Sequence, residues 1–110
     1  MSYIRLNPDY SGAKSLTTSN LSAGTIKYAK FGKVVVMMFD GIKVATAGSY
    51  VIGIVPEGYR PDGMTIQPFI RDNTGTCVLQ SWIVATNGEI HAIFKTANLA
   101  HAGMAVWLTA

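Results

Sequence analysis

Charge is scarce in this sequence. Asp, Glu, Lys and Arg make up 14% of the 110 residues, against about 25% in an ordinary soluble domain. Together with a hydrophobic fraction of 49%, that scarcity excludes a disordered chain, an acidic or basic tail, and helices laced on the outside by ion pairs. A single cysteine, Cys77, excludes an intrachain disulfide and leaves the compartment reducing or undetermined. The two histidines, His91 and His101, come without HExxH, CxxC or paired-carboxylate spacing, so a metal site or a zinc hydrolase has no support. Neither GxGxxG nor a P-loop occurs, and Ser49 and Ser81 sit in no nucleophile elbow. The expectation is a protein without catalysis, cofactor or metal. Unbroken apolar runs stop at Val34–Phe39 and Met104–Leu108, far below the ~20 residues that span a bilayer. No apolar signal-peptide core stands near residue 1 either, so no membrane insertion is expected.

What the chain has instead is branching at Cβ. Val, Ile and Thr account for 29 residues, which favours a pleated sheet over a helix. The net charge of +3 is uneven: residues 1–43 carry +4 and residues 44–110 carry −1. Lys14, Lys27, Lys30, Lys33 and Lys43 are spaced along strands and turns rather than clustered. They read as edge lysines that discourage edge-to-edge pairing, and no nucleic-acid partner is expected.

Residues 1–23, rich in Ser, Thr, Asn and Gly, read as an extended arm or connector with a short strand at Tyr3–Leu6. From Gly24 to residue 110 the signals are β throughout. Strands are expected over Gly24–Phe31, Val34–Asp40, Ile42–Thr46, Tyr50–Val55, Met64–Arg71, Cys77–Thr86, Glu89–Lys95 and Met104–Leu108. Gly32-Lys33, Gly41, Pro56–Gly63, Asp72–Gly75 and Asn87-Gly88 punctuate them. Short strands at this spacing predict an all-β antiparallel sandwich, jelly-roll-like, with about eight strands.

Asn87-Gly88 is the strongest hairpin signal, because both residues tolerate the positive φ of a two-residue type I′ turn. That turn would set Val84 opposite His91 and Trp82 opposite Ile93, placing Trp82, Val84, His91 and Ile93 on one face. Val34–Phe39 is likewise apolar on both sides. A strand apolar on both sides is buried on both sides, and in a domain this small the second cover comes most simply from another copy of the chain. Trp82, Val84, His91 and Ile93 are therefore the expected oligomer interface. Cys77 reads as a small core residue, and Asp72, Asn73 and Thr74 as ordinary turn chemistry rather than a calcium site.

Three segments resemble a known family. Gly24-Thr-Ile-Lys-Tyr-Ala-Lys-Phe-Gly-Lys-Val-Val-Val is similar to the opening of the small β-sandwich domains at the C-termini of bacteriophage tail-fibre and baseplate proteins. Tyr50-Val-Ile-Gly-Ile-Val-Pro-Glu-Gly-Tyr-Arg-Pro resembles their G-x-L/V-P-x-G-Y-R-P segment. Ile83–Ile90 resembles their V-x-x-N-G-x-I hairpin. The likeness covers residues 24–108 and is most specific at Pro56–Pro61, where prolines fix φ, Gly58 supplies the turn, and Tyr59 and Arg60 anchor it.

The resemblance implies a homotrimeric, non-enzymatic receptor-binding head in the virion tail, attached to other tail or baseplate proteins and binding a host cell-surface saccharide. Two other readings stay open: a structural trimerisation or capping domain without its own ligand, and a saccharide-binding accessory domain of a tail depolymerase. No binding residues carry over from the family. Sugar sites need planar polar groups and an aromatic face, presented by loops at one end of a sandwich. Arg71, Asp72 and Asn73 in Arg71–Thr76, and Asn98 and His101 in Thr96–Gly103, are the expected ligand residues. Trp107, Tyr59 or a neighbouring subunit would supply the stacking plane.

Overall fold

Eight strands form in the structure, a computed structural model that describes residues 12–71 and 77–109, those of 66–71 and 77–81 as backbone alone. They are β1 (Lys14–Leu16), β2 (Ala23–Phe31), β3 (Val34–Lys43), β4 (Gly48–Ile54), β5 (Thr65–Arg71), β6 (Cys77–Val84), β7 (Glu89–Phe94) and β8 (His101–Leu108). All pair antiparallel, in two four-stranded sheets of order β1-β2-β3-β8 and β4-β7-β6-β5. The fold is the expected all-β sandwich. Chain crossings join the sheets side by side: β3 leads into β4, while β7, the neighbour of β4, leads into β8, the neighbour of β3. A simple meander, β1-β2-β3 in one and β5-β6-β7 in the other, completes each sheet. The strand expected at Tyr3–Leu6 and the turn at Asp72–Gly75 lie outside the described residues.

The core follows from alternation. Ile26 and Tyr28 of β2, Val35, Met37 and Phe39 of β3, and Ala105 and Trp107 of β8 point inward from one sheet. Ile52, Trp82, Val84, Ile90, Ala92 and Phe94 meet them from the other. At the centre the Phe39 and Trp82 rings stack with centroids 3.7 Å apart and planes at 24°. Such a pair adds to what burial alone contributes.

Two local readings are corrected. The strand expected to begin anew at Ile42 is a continuation of β3, because Gly41 (φ 63°) sits in a β-bulge and pairing resumes at Ile42–His101. The β6–β7 connection is a three-residue loop, Thr86-Asn87-Gly88. Gly88 N–H donates to the Ala85 carbonyl at 2.9 Å and Ala85 N–H to the Glu89 carbonyl at 2.9 Å. Only Gly88 of the three has a positive φ, at 91°, as in a type I turn closed by a glycine bulge. The register shifts by one residue relative to the two-residue turn: Val84 faces Ile90, Ile83 faces His91 and Trp82 faces Ala92.

The described part of the expected arm lies along the sandwich. Lys14–Leu16 pair with β2, Thr18 bridges Gly53, Ser19 N–H donates to the Ile52 carbonyl, and Leu21 packs on the core. Residues 12–22 thus cover one open edge, from the first sheet to the second.

At the end of the sandwich holding the 32–33 and 86–88 turns, residues 55–63 form a cap. Tyr59 N–H donates to the Pro56 carbonyl at 3.2 Å, the Arg60 Nε–H to the Val55 carbonyl at 2.8 Å, and the Trp107 Nε1–H to the Tyr59 carbonyl at 2.6 Å. Gly58 lies at φ 89° with open space where a Cβ would project. Gly58→Val is therefore expected to cost only the backbone penalty, roughly 1–3 kcal/mol. Thermal melting checks it: an unchanged melting temperature would show that the left-handed conformation is not required.

Candidate functional site: an outer sheet face and two ends

The outer side of the β1-β2-β3-β8 sheet is apolar. Its register aligns Phe31, Val34 and Leu108 in one row, Ala29, Val36 and Val106 in the next, and Lys27, Met38 and Met104 in the third. Phe31 is 40% exposed, Met38 51%, Met104 52%, Val106 47% and Leu108 64%. An antiparallel sheet that faces water alternates polar residues on that side, and here Lys27 is the sole charge in three rows. A recess of about 260 Å³ at one edge is lined by Ala13, Ala29, Phe31, Val36, Met38, Tyr28 and Lys27. The doubly apolar Val34–Phe39 marked this face in the sequence. Phe31, Met104, Val106 and Leu108 were missed, because only strand pairing shows that they join it.

The expected interface of Trp82, Val84, His91 and Ile93 is not one face. Trp82 and Val84 are fully buried in the core, since the glycine-bulged loop turns their side of β6 toward the first sheet. His91 and Ile93 point outward from the second sheet, beside Val51, Ile83 and Ser49. There the His91 Nε2 lies 3.4 Å from Glu89 Oε1. Glu89 also accepts a hydrogen bond from Asn87 Nδ2 at 3.0 Å, and these contacts, Asn87 first, hold its carboxyl below the usual range.

The expected ligand residues are dispersed. Asn98 is exposed at φ 60° on the loop after β7, and its N–H is tied to the Val44 carbonyl at 2.8 Å. His101 is not a loop residue: it is buried as the first residue of β8, edge-on to Phe94 at 5.6 Å. Trp107 is likewise buried, its indole N–H engaged by Tyr59, so neither side chain can reach a ligand at the surface. Asp72, Asn73 and the Arg71 side chain lie outside the described residues. Strand directions bring the end of β5, the start of β6, the end of β7 and the start of β8 to one end of the sandwich. Residue 12 and the 55–63 cap lie at the opposite end.

At that capped end Tyr59 stands edge-on to Tyr28, ring centroids 5.1 Å apart. The Lys14 and Lys30 ammonium groups lie 5.3 and 5.7 Å from the Tyr59 ring centroid, within cation–π range. In the same cap Glu57, Gly58, Arg60, Pro61, Asp62 and Thr86 line a cavity of about 340 Å³. Among the described residues no group of three His, Cys, Asp or Glu side chains converges as metal ligands would.

No family model matches the chain, and no curated protein matches it closely enough to count as a relative.

Proposed function

We propose that this protein is a non-enzymatic attachment head of a bacteriophage tail, assembled as a homotrimer and recognising a saccharide of the host cell surface. The observation that carries the reading is the apolar outer face of β2, β3 and β8, with five large side chains left two-fifths or more exposed in the single chain. A second copy is the cover that every molecule of the protein has at hand, and closed homo-oligomers are the common result. The arrangement of the ends agrees with the reading: the chain at residue 12 comes in at the capped end, and the loop carrying Asn98 is presented at the other. Residues 24–108 supply the family resemblance.

Burial of His101 and Trp107 favours a second reading, a structural trimerisation or capping domain, because it removes two of the expected ligand groups. Light scattering at micromolar concentration tests the assembly, with three times the 11.8 kDa chain mass expected. A monomer mass would sink both readings. A glycan-array screen of the trimer then separates them: a specific hit supports the attachment head, and a clean negative supports the capping domain.

A further inference from the structure

Of the five asparagines in the chain, Asn87 is the one followed by glycine; the others precede Pro8, Leu21, Thr74 and Leu99. Packing demands that glycine. Gly88 is buried at φ 91°, its carbonyl accepts from the Val55 N–H at 2.8 Å, and an added Cβ would collide with the Val55 carbonyl and the Arg60 Nε. Asn87 itself is exposed to water. Asparagine before glycine is the pair most open to deamidation, because no Cβ obstructs the approach of the following backbone nitrogen to the side-chain carbonyl carbon.

The reaction needs nothing but water. Hydroxide takes the proton of the Gly88 N–H, the nitrogen bonds to Asn87 Cγ, and the Cγ–Nδ2 bond breaks. Nδ2 leaves as ammonia after taking a proton from water, which restores the hydroxide. Water then opens the succinimide ring at either carbonyl. The product is aspartate or isoaspartate, and in the second the main chain runs through the former side chain and is longer by one carbon.

The folded loop engages every participant. Gly88 N–H donates to the Ala85 carbonyl at 2.9 Å, which favours the protonated nitrogen. Asn87 Oδ1 accepts from the Glu89 N–H at 3.0 Å, and Nδ2 donates to Glu89 Oε1 at 3.0 Å. The carboxamide is thus tethered through both of its polar atoms to Glu89.

We propose that Asn87 is a spontaneous deamidation site held shut by the fold: ring closure waits on opening of the 86–88 loop, and the product loosens the hairpin and the cap joined to it. Aspartate at 87 loses the donor to Glu89 and sets a second carboxylate beside the first. Isoaspartate displaces Gly88 from Val55, and with it the hydrogen bond that ties the hairpin to the start of the cap. None of this depends on what the domain attaches to.

The test compares the intact protein with a synthetic peptide of residues 83–92 in one neutral buffer, with conversion at Asn87 followed by mass spectrometry and isoaspartate resolved by chromatography. The folded protein is expected to convert at least about tenfold more slowly than the peptide, as breaking two or more hydrogen bonds before reaction implies. In urea the two rates should converge. Glu89→Ala, which removes the acceptor of Nδ2, should speed conversion of the folded protein severalfold, and Glu89→Gln, which keeps an acceptor, should not. Equal rates in folded protein and peptide, a rate in urea as slow as the folded one, or no acceleration by Glu89→Ala would overturn the protection. The consequence is read separately, on Asn87→Asp and on the isoaspartate form purified from aged protein. Both should melt below the parent, and the isoaspartate form should exchange the Val55 amide hydrogen faster. Melting and exchange like those of the parent in both forms would overturn the loosening.

Discussion

Replacing Trp82 by alanine is expected to destabilise the domain by about 3–5 kcal/mol, the usual result of emptying a buried aromatic site. The side chain is fully buried, stacked on Phe39 across the gap between the sheets, and ringed by Val84, Ile90 and Ala92. A domain of ordinary stability holds only about 5–15 kcal/mol in total, so a large part of the folding free energy would be lost. The melting temperature should fall by ten degrees or more, on the order of 4 °C or more per kcal/mol at this size. Trp82→Ala should thus act on folding before it acts on assembly. A variant that melted as the parent does, yet had lost its oligomeric mass, would put Trp82 back at a subunit contact and refute the hairpin register described above.

Val106→Lys should do the reverse. Val106 stands at the end of the central row of the apolar face, opposite Val36, and is 47% exposed. In the single chain a lysine there points into water and should change stability by no more than about 0.5 kcal/mol. In an assembly built on that face the ammonium would be buried against methyl groups with no partner, at a cost of several kcal/mol. The variant is expected to be a folded monomer at micromolar concentration, with the circular dichroism of the parent and a cooperative melt. Val106→Ile should keep the parent mass. If Val106→Lys retains a trimer mass, the subunits meet elsewhere.

The architecture was legible because period-two alternation and turn chemistry act locally. Val34–Asp40, Tyr50–Val55 and the Pro56–Pro61 turn could be read from a few neighbouring residues, and they stand close to where they were expected. The β6–β7 register was misread for an equally local reason. Asn87-Gly88 satisfies both a two-residue turn and a three-residue loop closed by Gly88, and the dipeptide alone does not choose between them. The choice is made by burial: only the observed register gathers Trp82, Val84, Ile90, Ala92 and Phe94 on one side. Tertiary packing thus overrode the shortest turn, and that pattern was present in the sequence to be weighed.

The candidate site was legible in part. Val34–Phe39 announced a sheet face in need of cover, but the residues completing it come from β2 and β8, a hairpin away and some seventy positions later in the chain. Lys14, Lys30 and Tyr59 carried no shared motif at all. They meet because β1 pairs with β2 and the cap folds back beneath them, which is knowledge of pairing rather than of spacing. His101 and Trp107 show the opposite error: polar or aromatic character near a turn suggested presentation, while alternation along β8 placed both in the interior.

Residues 12 and 109 both lie at the capped end of the sandwich, since β1 runs away from it and β8 runs toward it, with Thr109 N–H bonded to the Lys33 carbonyl. The domain is therefore a cassette with its connections on one side. A reporter or a solid support joined directly at residue 12 or at residue 109 would start from the same side of the sandwich. The loop that carries Asn98, at the other end, could be lengthened without rerouting the chain at residue 12 or at residue 109.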